Sequence, residues 1–114
     1  MGLQISSREV GDVTVVDLRG RATLGAGNDA LSAELRKLVE SGPAKIVVNL
    51  EGVTQMDSSA ISTLVRSFVT AERGGGKLKL LHPNGHVRAV LELTRLTQSI
   101  PTYYDESAAL ASFR

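Results

Sequence analysis

Lys45-Ile46-Val47-Val48-Asn49-Leu50-Glu51-Gly52-Val53-Thr54-Gln55-Met56-Asp57-Ser58-Ser59-Ala60-Ile61 is the stretch on which the fold turns. Ile46-Val47-Val48 is a short, unbroken, β-branched run, the pattern of a central strand covered on both faces. The strand is expected over Lys45 to Leu50, with Glu51 to Met56 as a connector. Asp57-Ser58-Ser59 then precedes Ile61, Leu64, Val65, Phe68 and Val69, whose spacing of three and four residues draws one apolar stripe along a helix. Gly74-Gly75-Gly76 stops that helix, and Lys77 to Leu81 reads as a further strand. Two strands joined through a helix in this way form a right-handed parallel crossover.

Toward the N-terminus, Leu3 to Ser6 alternates apolar and polar residues, and Val13 to Arg19 is rich in Val and ends at Gly20. Glu9-Val10-Gly11-Asp12 suits a tight turn, so the two segments are expected to form an antiparallel hairpin. Arg21 to Gly27 has loop character. A helix follows from Asn28 to Glu40, with Leu31, Leu35, Leu38 and Val39 as its stripe, and Ser41-Gly42-Pro43 ends it. Toward the C-terminus, His82-Pro83-Asn84-Gly85 makes a turn, Val87 to Leu96 a helix, Ile100 to Tyr104 a strand, and Asp105 opens a helix reaching Phe113. The fold class is therefore α/β: an open mixed β-sheet with an antiparallel N-terminal hairpin and about four helices packed largely on one face. Neither an internal repeat nor a linker divides the chain, so residues 1–114 are expected to form a single domain.

Composition narrows the function. The chain has no cysteine, which excludes disulfide scaffolds, thiolate zinc sites, iron–sulfur clusters and cysteine nucleophiles. Thirteen Lys and Arg against 12 Asp and Glu leave a net charge of +1, which gives no electrostatic case for nucleic acid or an anionic membrane. Two Phe, two Tyr and no Trp do not make a base-stacking platform. No apolar run approaches the ~18 residues of a membrane span, and Met1 to Ser7 lacks the basic start and apolar centre of a signal peptide. The expected setting is the cytoplasm, and the expected state a monomer.

Asp57-Ser58-Ser59 is the segment with chemical promise. The first turn of a helix carries unpaired N–H groups and about half a unit of positive charge, a place that tolerates phosphate. Taken alone, Asp-Ser-Ser before a helix is an N-cap that satisfies those N–H groups. Other candidates are weaker. His82 and His86 are four residues apart, but Pro83 and Gly85 intervene and no acidic cluster accompanies them, so neither a metal nor another cofactor is expected. Gly25-Ala26-Gly27 lacks the lysine of a Walker loop and the later glycines of a dinucleotide fingerprint. A serine hydrolase built on Ser58 would need a Gly-x-Ser-x-Gly elbow, which is absent, and a base from His82 or His86 in a different connection.

Residues 45–61 closely resemble the signature of the bacterial anti-sigma factor antagonists, the STAS-domain family: an apolar strand, Asn-Leu, a connector, then Asp-Ser-Ser and an aliphatic residue. Gly20 at the end of the second strand, Gly75-Gly76-Lys77-Leu78 and the region Val87 to Leu96 extend the similarity over nearly the whole chain. Two positions depart from the family pattern, Ala60 where Gly is usual and Arg21 where an acidic residue is common. The resemblance implies an anti-sigma factor antagonist, not an enzyme. Its unphosphorylated form would bind an anti-sigma factor serine kinase with a histidine-kinase-like ATPase fold and release the sigma factor. Phosphorylation of Ser58 would switch it off, and a serine phosphatase is left open as a third partner. Asp57, Ser58 and Ser59 are the partner-binding residues the resemblance implies by position, and Thr23 and Ser62, polar and expected at the same end of the sheet, are added to them as candidates. The alternative within the family is a scaffold subunit of a stress-sensing or transport assembly without the kinase-controlled switch.

Overall fold

The computed structural model describes residues 2–114. The elements run β1 (Leu3–Val10), β2 (Val13–Ala22), α1 (Ala26–Glu40), β3 (Lys45–Met56), α2 (Ser58–Arg73), β4 (Lys77–Leu81), α3 (Gly85–Leu93), α4 (Leu96–Ser99), β5 (Thr102–Tyr103) and α5 (Glu106–Ala111). The strands form one sheet in the order β1-β2-β3-β4-β5. The β1–β2 pair is the antiparallel hairpin, and all later pairs are parallel. The expected α/β class, mixed sheet and hairpin are all present.

Side chains alternate across β3 as a strand's geometry dictates. Ile46, Val48 and Leu50 face one way and join a core closed by Leu31 and Leu35 of α1, Leu64 of α2 and Val87 and Leu91 of α3. Val47 faces the other way and meets Val13, Val15, Leu81 and Ala109 of α5. The central run is thus covered on both faces, but unequally. The three long helices share one face, and only the short α5 lies on the other. Between them the two faces hold every fully buried Leu, Ile and Val of the sheet, each worth about 2 kcal/mol of transfer energy.

β1 runs on to Val10 and β2 to Ala22, through residues expected as turn and loop, because the hairpin pairs them up to Val10 with Val13, and α1 starts at Ala26, two residues early. Three further elements differ more from the sequence reading. β3 continues through the expected connector to Met56, because Val53 and Met56 point into the core and β2 runs beside it to Ala22. Register shifts between Asp17 and Arg19 and between Gly20 and Arg21 keep the two strands paired despite their unequal lengths. The helix expected to reach Leu96 stops at Leu93, where the Thr94 hydroxyl donates to the Val90 carbonyl and Arg95 takes a left-handed conformation, φ 61°. Leu96 then starts α4, a single turn, which makes five helices among the described residues where about four were expected. The last strand is only the pair Thr102–Tyr103.

Gly76 allows one close approach: a Cβ there would lie 2.2 Å from the Ala44 carbonyl oxygen, so only glycine lets α2 return to the sheet at this point. No helix among the described residues is long and apolar enough to cross a membrane.

Candidate functional site

β2 and β3 finish together. Their last register pair is Ala22 with Met56, so Thr23 and Asp57 leave the sheet side by side. The Asp57 N–H donates to the Ala22 carbonyl at 3.2 Å, one more rung beyond the ladder. The Asp57 carboxylate then closes the structure in two directions. Its Oδ1 accepts from the N–H groups of Ser59 and Ala60 at 3.0 and 3.3 Å, which caps α2. Its Oδ2 accepts from the Leu24 N–H at 2.8 Å, which ties the β2–α1 loop to the start of α2. The Ser59 hydroxyl also donates to Oδ1. These donors, the Ser59 hydroxyl first and the Leu24 N–H second, hold the Asp57 carboxyl below the usual carboxylate range. It is a carboxylate at neutral pH.

Ser58 differs from both neighbours. It is the first residue of α2, it is exposed, and among the described residues its hydroxyl makes no hydrogen bond. Ser62 stands one turn later on the same side of α2 and is exposed as well. Thr23 is half-buried beside Asp57, and Ser59 is half-buried under it. The five residues singled out from the sequence therefore gather at one end of the molecule. Their parts differ: Asp57 and Ser59 build the helix start, whereas Ser58 and Ser62 face outward.

Ala60 is wholly buried in the main core, so its methyl group packs inward and adds nothing to the outer surface. Arg21 is exposed at the end of β2. His82 lies in the loop after β4 and is half-buried, while His86 is exposed in the first turn of α3.

The sequence reading missed Leu24. The residue is 81% exposed although its N–H is anchored on Asp57, so an apolar group is displayed on the loop tied to the start of α2. The signal was a lone leucine in a stretch otherwise short of apolar residues, next to Gly25. Gly25 holds φ 123°, a conformation that L side chains rarely adopt, and it turns the chain from the Leu24 anchor into α1. Also missed was the buried link between α1 and α2, in which the Thr63 hydroxyl donates to Asn28 Oδ1 at 3.0 Å. That bond fixes the two helices that flank the site.

Residues 4–109 match the model of the STAS domain. Among curated proteins, none matches by sequence. Among solved structures, an anti-sigma factor antagonist from Mycobacterium paratuberculosis superposes with a TM-score of 0.87 at 20% identity, covering 97% of this chain and 93% of that one. An anti-sigma-factor antagonist (STAS) domain protein from Planctomyces limnophilus gives 0.81 at 24% identity, over 96% and 98%. The Bacillus cell fate determinant SpoIIAA in its phosphorylated form gives 0.76 at 21% identity, over 97% and 100%. At these identities the likeness is one of fold.

Proposed function

From the premise that this chain belongs to the STAS-domain family, we propose that it is an anti-sigma factor antagonist switched at Ser58. The unphosphorylated form binds an anti-sigma factor serine kinase of the histidine-kinase-like ATPase fold and thereby frees the sigma factor. The kinase then transfers the γ-phosphoryl group of ATP to the Ser58 hydroxyl. An oxygen–phosphorus bond forms at Ser58, the bond to the leaving ADP breaks, and the hydroxyl proton passes to a base on the kinase. This chain supplies the acceptor and no catalytic group, and the reading places it in the cytoplasm. The single observation that carries the reading is the exposed, unengaged Ser58 hydroxyl between two neighbours whose side chains are engaged. The likeness to SpoIIAA, a protein solved in a phosphorylated form, supports it.

The local geometry says how a phosphate would act. Phosphorylation adds about −1.5 to −2 charge units. At an uncapped helix start that charge would be welcomed by free N–H groups. Here the Ser59 and Ala60 N–H groups already donate to Asp57, and the Asp57 carboxylate sits alongside. The phosphate is left to face outward, on the exposed strip of α2 that continues to Ser62. A partner surface shaped around a small hydroxyl then meets a bulky dianion. Like-charge contact and desolvation of a phosphate each cost on the order of several kcal/mol, enough to lower affinity by orders of magnitude. No refolding of this chain is required.

Kinase affinity measured for wild type, Ser58→Ala and Ser58→Glu tests the switch. Wild type and Ser58→Ala are expected to bind alike, and Ser58→Glu at least about tenfold more weakly. Incubation with kinase and ATP should add one phosphate, lost in Ser58→Ala. Equal affinity across all three proteins would favour the scaffold alternative.

A further inference from the structure

Between α1 and α2 lies an open cleft of about 180 Å³ whose lining includes Ser32 and Arg36 from α1 and Thr63, Arg66, Ser67 and Thr70 from α2. Its chemistry is one-sided. Arg36 and Arg66 flank it from opposite helices, and neither makes an ion pair or side-chain hydrogen bond with another described residue. Among the described residues, no carboxylate lines the cleft. Arg73 at the end of α2 is exposed and unpaired as well among the described residues, but it lies outside the cleft, and two exposed lysines nearby are neutralised. Lys37 is paired with Glu34, and Lys77 with Glu72. Two of the cleft hydroxyls are already used, Thr63 toward Asn28 and Thr70 toward the Arg66 carbonyl. Ser32 and Ser67 are half-buried and, among the described residues, have no hydrogen-bond partner. Two like charges on facing helices repel, and the two serine hydroxyls of the lining reach solvent and remain free to donate. A carboxylate answers both, because it accepts from forked guanidinium groups and from hydroxyls at once.

Position selects the source of that carboxylate. Ser58, Ser62 and Arg66 follow one another at four-residue steps and are all exposed, so one strip of α2 leads from the switch residue to the cleft. A protein seated on Ser58 and continuing along α2 reaches Arg66 after about two turns, roughly 12 Å. The volume suits one side chain and is too small for a nucleotide.

We propose that the Arg36–Arg66 cleft is a second docking point, which receives an acidic side chain of the protein partner that covers Ser58. This rests on the reading of Ser58 as a partner-facing switch. It adds that the partner carries a Glu or Asp about two helical turns, roughly 12 Å, from the element that meets Ser58. Electrostatic contacts of this kind set the salt dependence of association.

The test compares wild type, Arg36→Glu/Arg66→Glu, the milder Arg36→Gln/Arg66→Gln, and Arg73→Glu as a charge change outside the cleft. Circular dichroism and thermal melting first establish that each is folded. Kinase affinity at low and high salt should fall about tenfold or more in the Glu pair, less in the Gln pair, and within about twofold in Arg73→Glu. The salt dependence should flatten only in the cleft variants. An equal loss in Arg73→Glu, or none in the cleft pairs, overturns the proposal while leaving the Ser58 switch intact. If no anti-sigma kinase binds wild type, the functional reading falls and hexaglutamate decides the cleft. Amide shifts at Ser32, Thr63 and Ser67 that are absent from the Glu pair then support it, and their absence from wild type overturns it.

Discussion

Two polar regions of this molecule are built from similar residue types and end in opposite states. On the helix-poor face of the sheet, Arg8 pairs with Asp17 and with Glu106, and Asn49 donates to Asp17 at 2.8 Å. Nearby, the buried Lys79 ammonium donates to the Ser112 carbonyl and hydroxyl and lies 4.5 Å from the centre of the Phe113 ring. That cluster closes on itself and holds α5 against the sheet. At the start of α2, Asp57 and Ser59 close in the same manner, but Ser58 and Ser62 face outward and Leu24 is exposed on the loop that Asp57 anchors. Residue type does not separate scaffold from surface. What separates them is how much hydrogen-bonding capacity and apolar area the fold leaves unanswered.

The comparison breaks most readily at Asp57, which with Ser59 works as scaffold at the α2 start. Asp57→Ala removes the acceptor for the Leu24, Ser59 and Ala60 N–H groups together. Its melting temperature should fall by about 8 °C, with Asp57→Asn in between. A variant that melts with wild type would mean that the carboxylate belongs to the surface.

A smaller effect is expected on the closed cluster. Arg8→Ala removes two partly exposed ion pairs and should lower the melting temperature by about 4 °C at neutral pH. The pH dependence has a definite sign. The Arg8 hydrogen bond holds the Glu106 carboxyl below its ordinary value. For Asp17, burial pushes the value up, but the hydrogen bonds from Arg8 and Asn49 more than reverse it. Carboxyls depressed in the folded state contribute stability that is fully present above their unfolded values and is lost as pH falls through their folded ones. Melting curves of wild type and Arg8→Ala should therefore stay separated from pH 7 down to the ordinary carboxylate range and converge as the pH falls below it. A gap that persists in acid would show that Arg8 acts by packing its stem.

The smallest stability effects belong to the outward residues. Ser58→Ala and Leu24→Ser should each shift the melting temperature by no more than about 2 °C. Leu24→Ser should weaken kinase binding if the displayed leucine is part of the docking surface. A large loss of stability in either variant would move that residue into the scaffold and remove the contrast between the two regions.

Much of the fold was legible because its signals are local. The stripe through Ile61, Leu64, Val65 and Phe68, the run Ile46-Val47-Val48 and the Gly74-Gly75-Gly76 stop each need only a few neighbouring residues to be read. The second half of β3 was not legible, because Glu51 to Met56 is mostly polar and becomes a strand only through its bulged pairing with β2. The break at Arg95 follows from the Thr94 hydroxyl competing for helix carbonyls, which a periodic pattern does not report. At the site, Asp57 as a helix cap was readable from its position. The bond from Asp57 to Leu24 joins residues 33 apart in the chain, and Arg36 and Arg66 meet only because α1 and α2 are neighbours in space.

The Leu24 anchor has a consequence for divergence. The loop is held through a peptide N–H, which nearly every amino acid possesses, and the side chain takes no part in the holding. A single codon can therefore change what this loop presents without altering its course. After gene duplication, sister copies could acquire new clients at position 24 while the backbone kept its path.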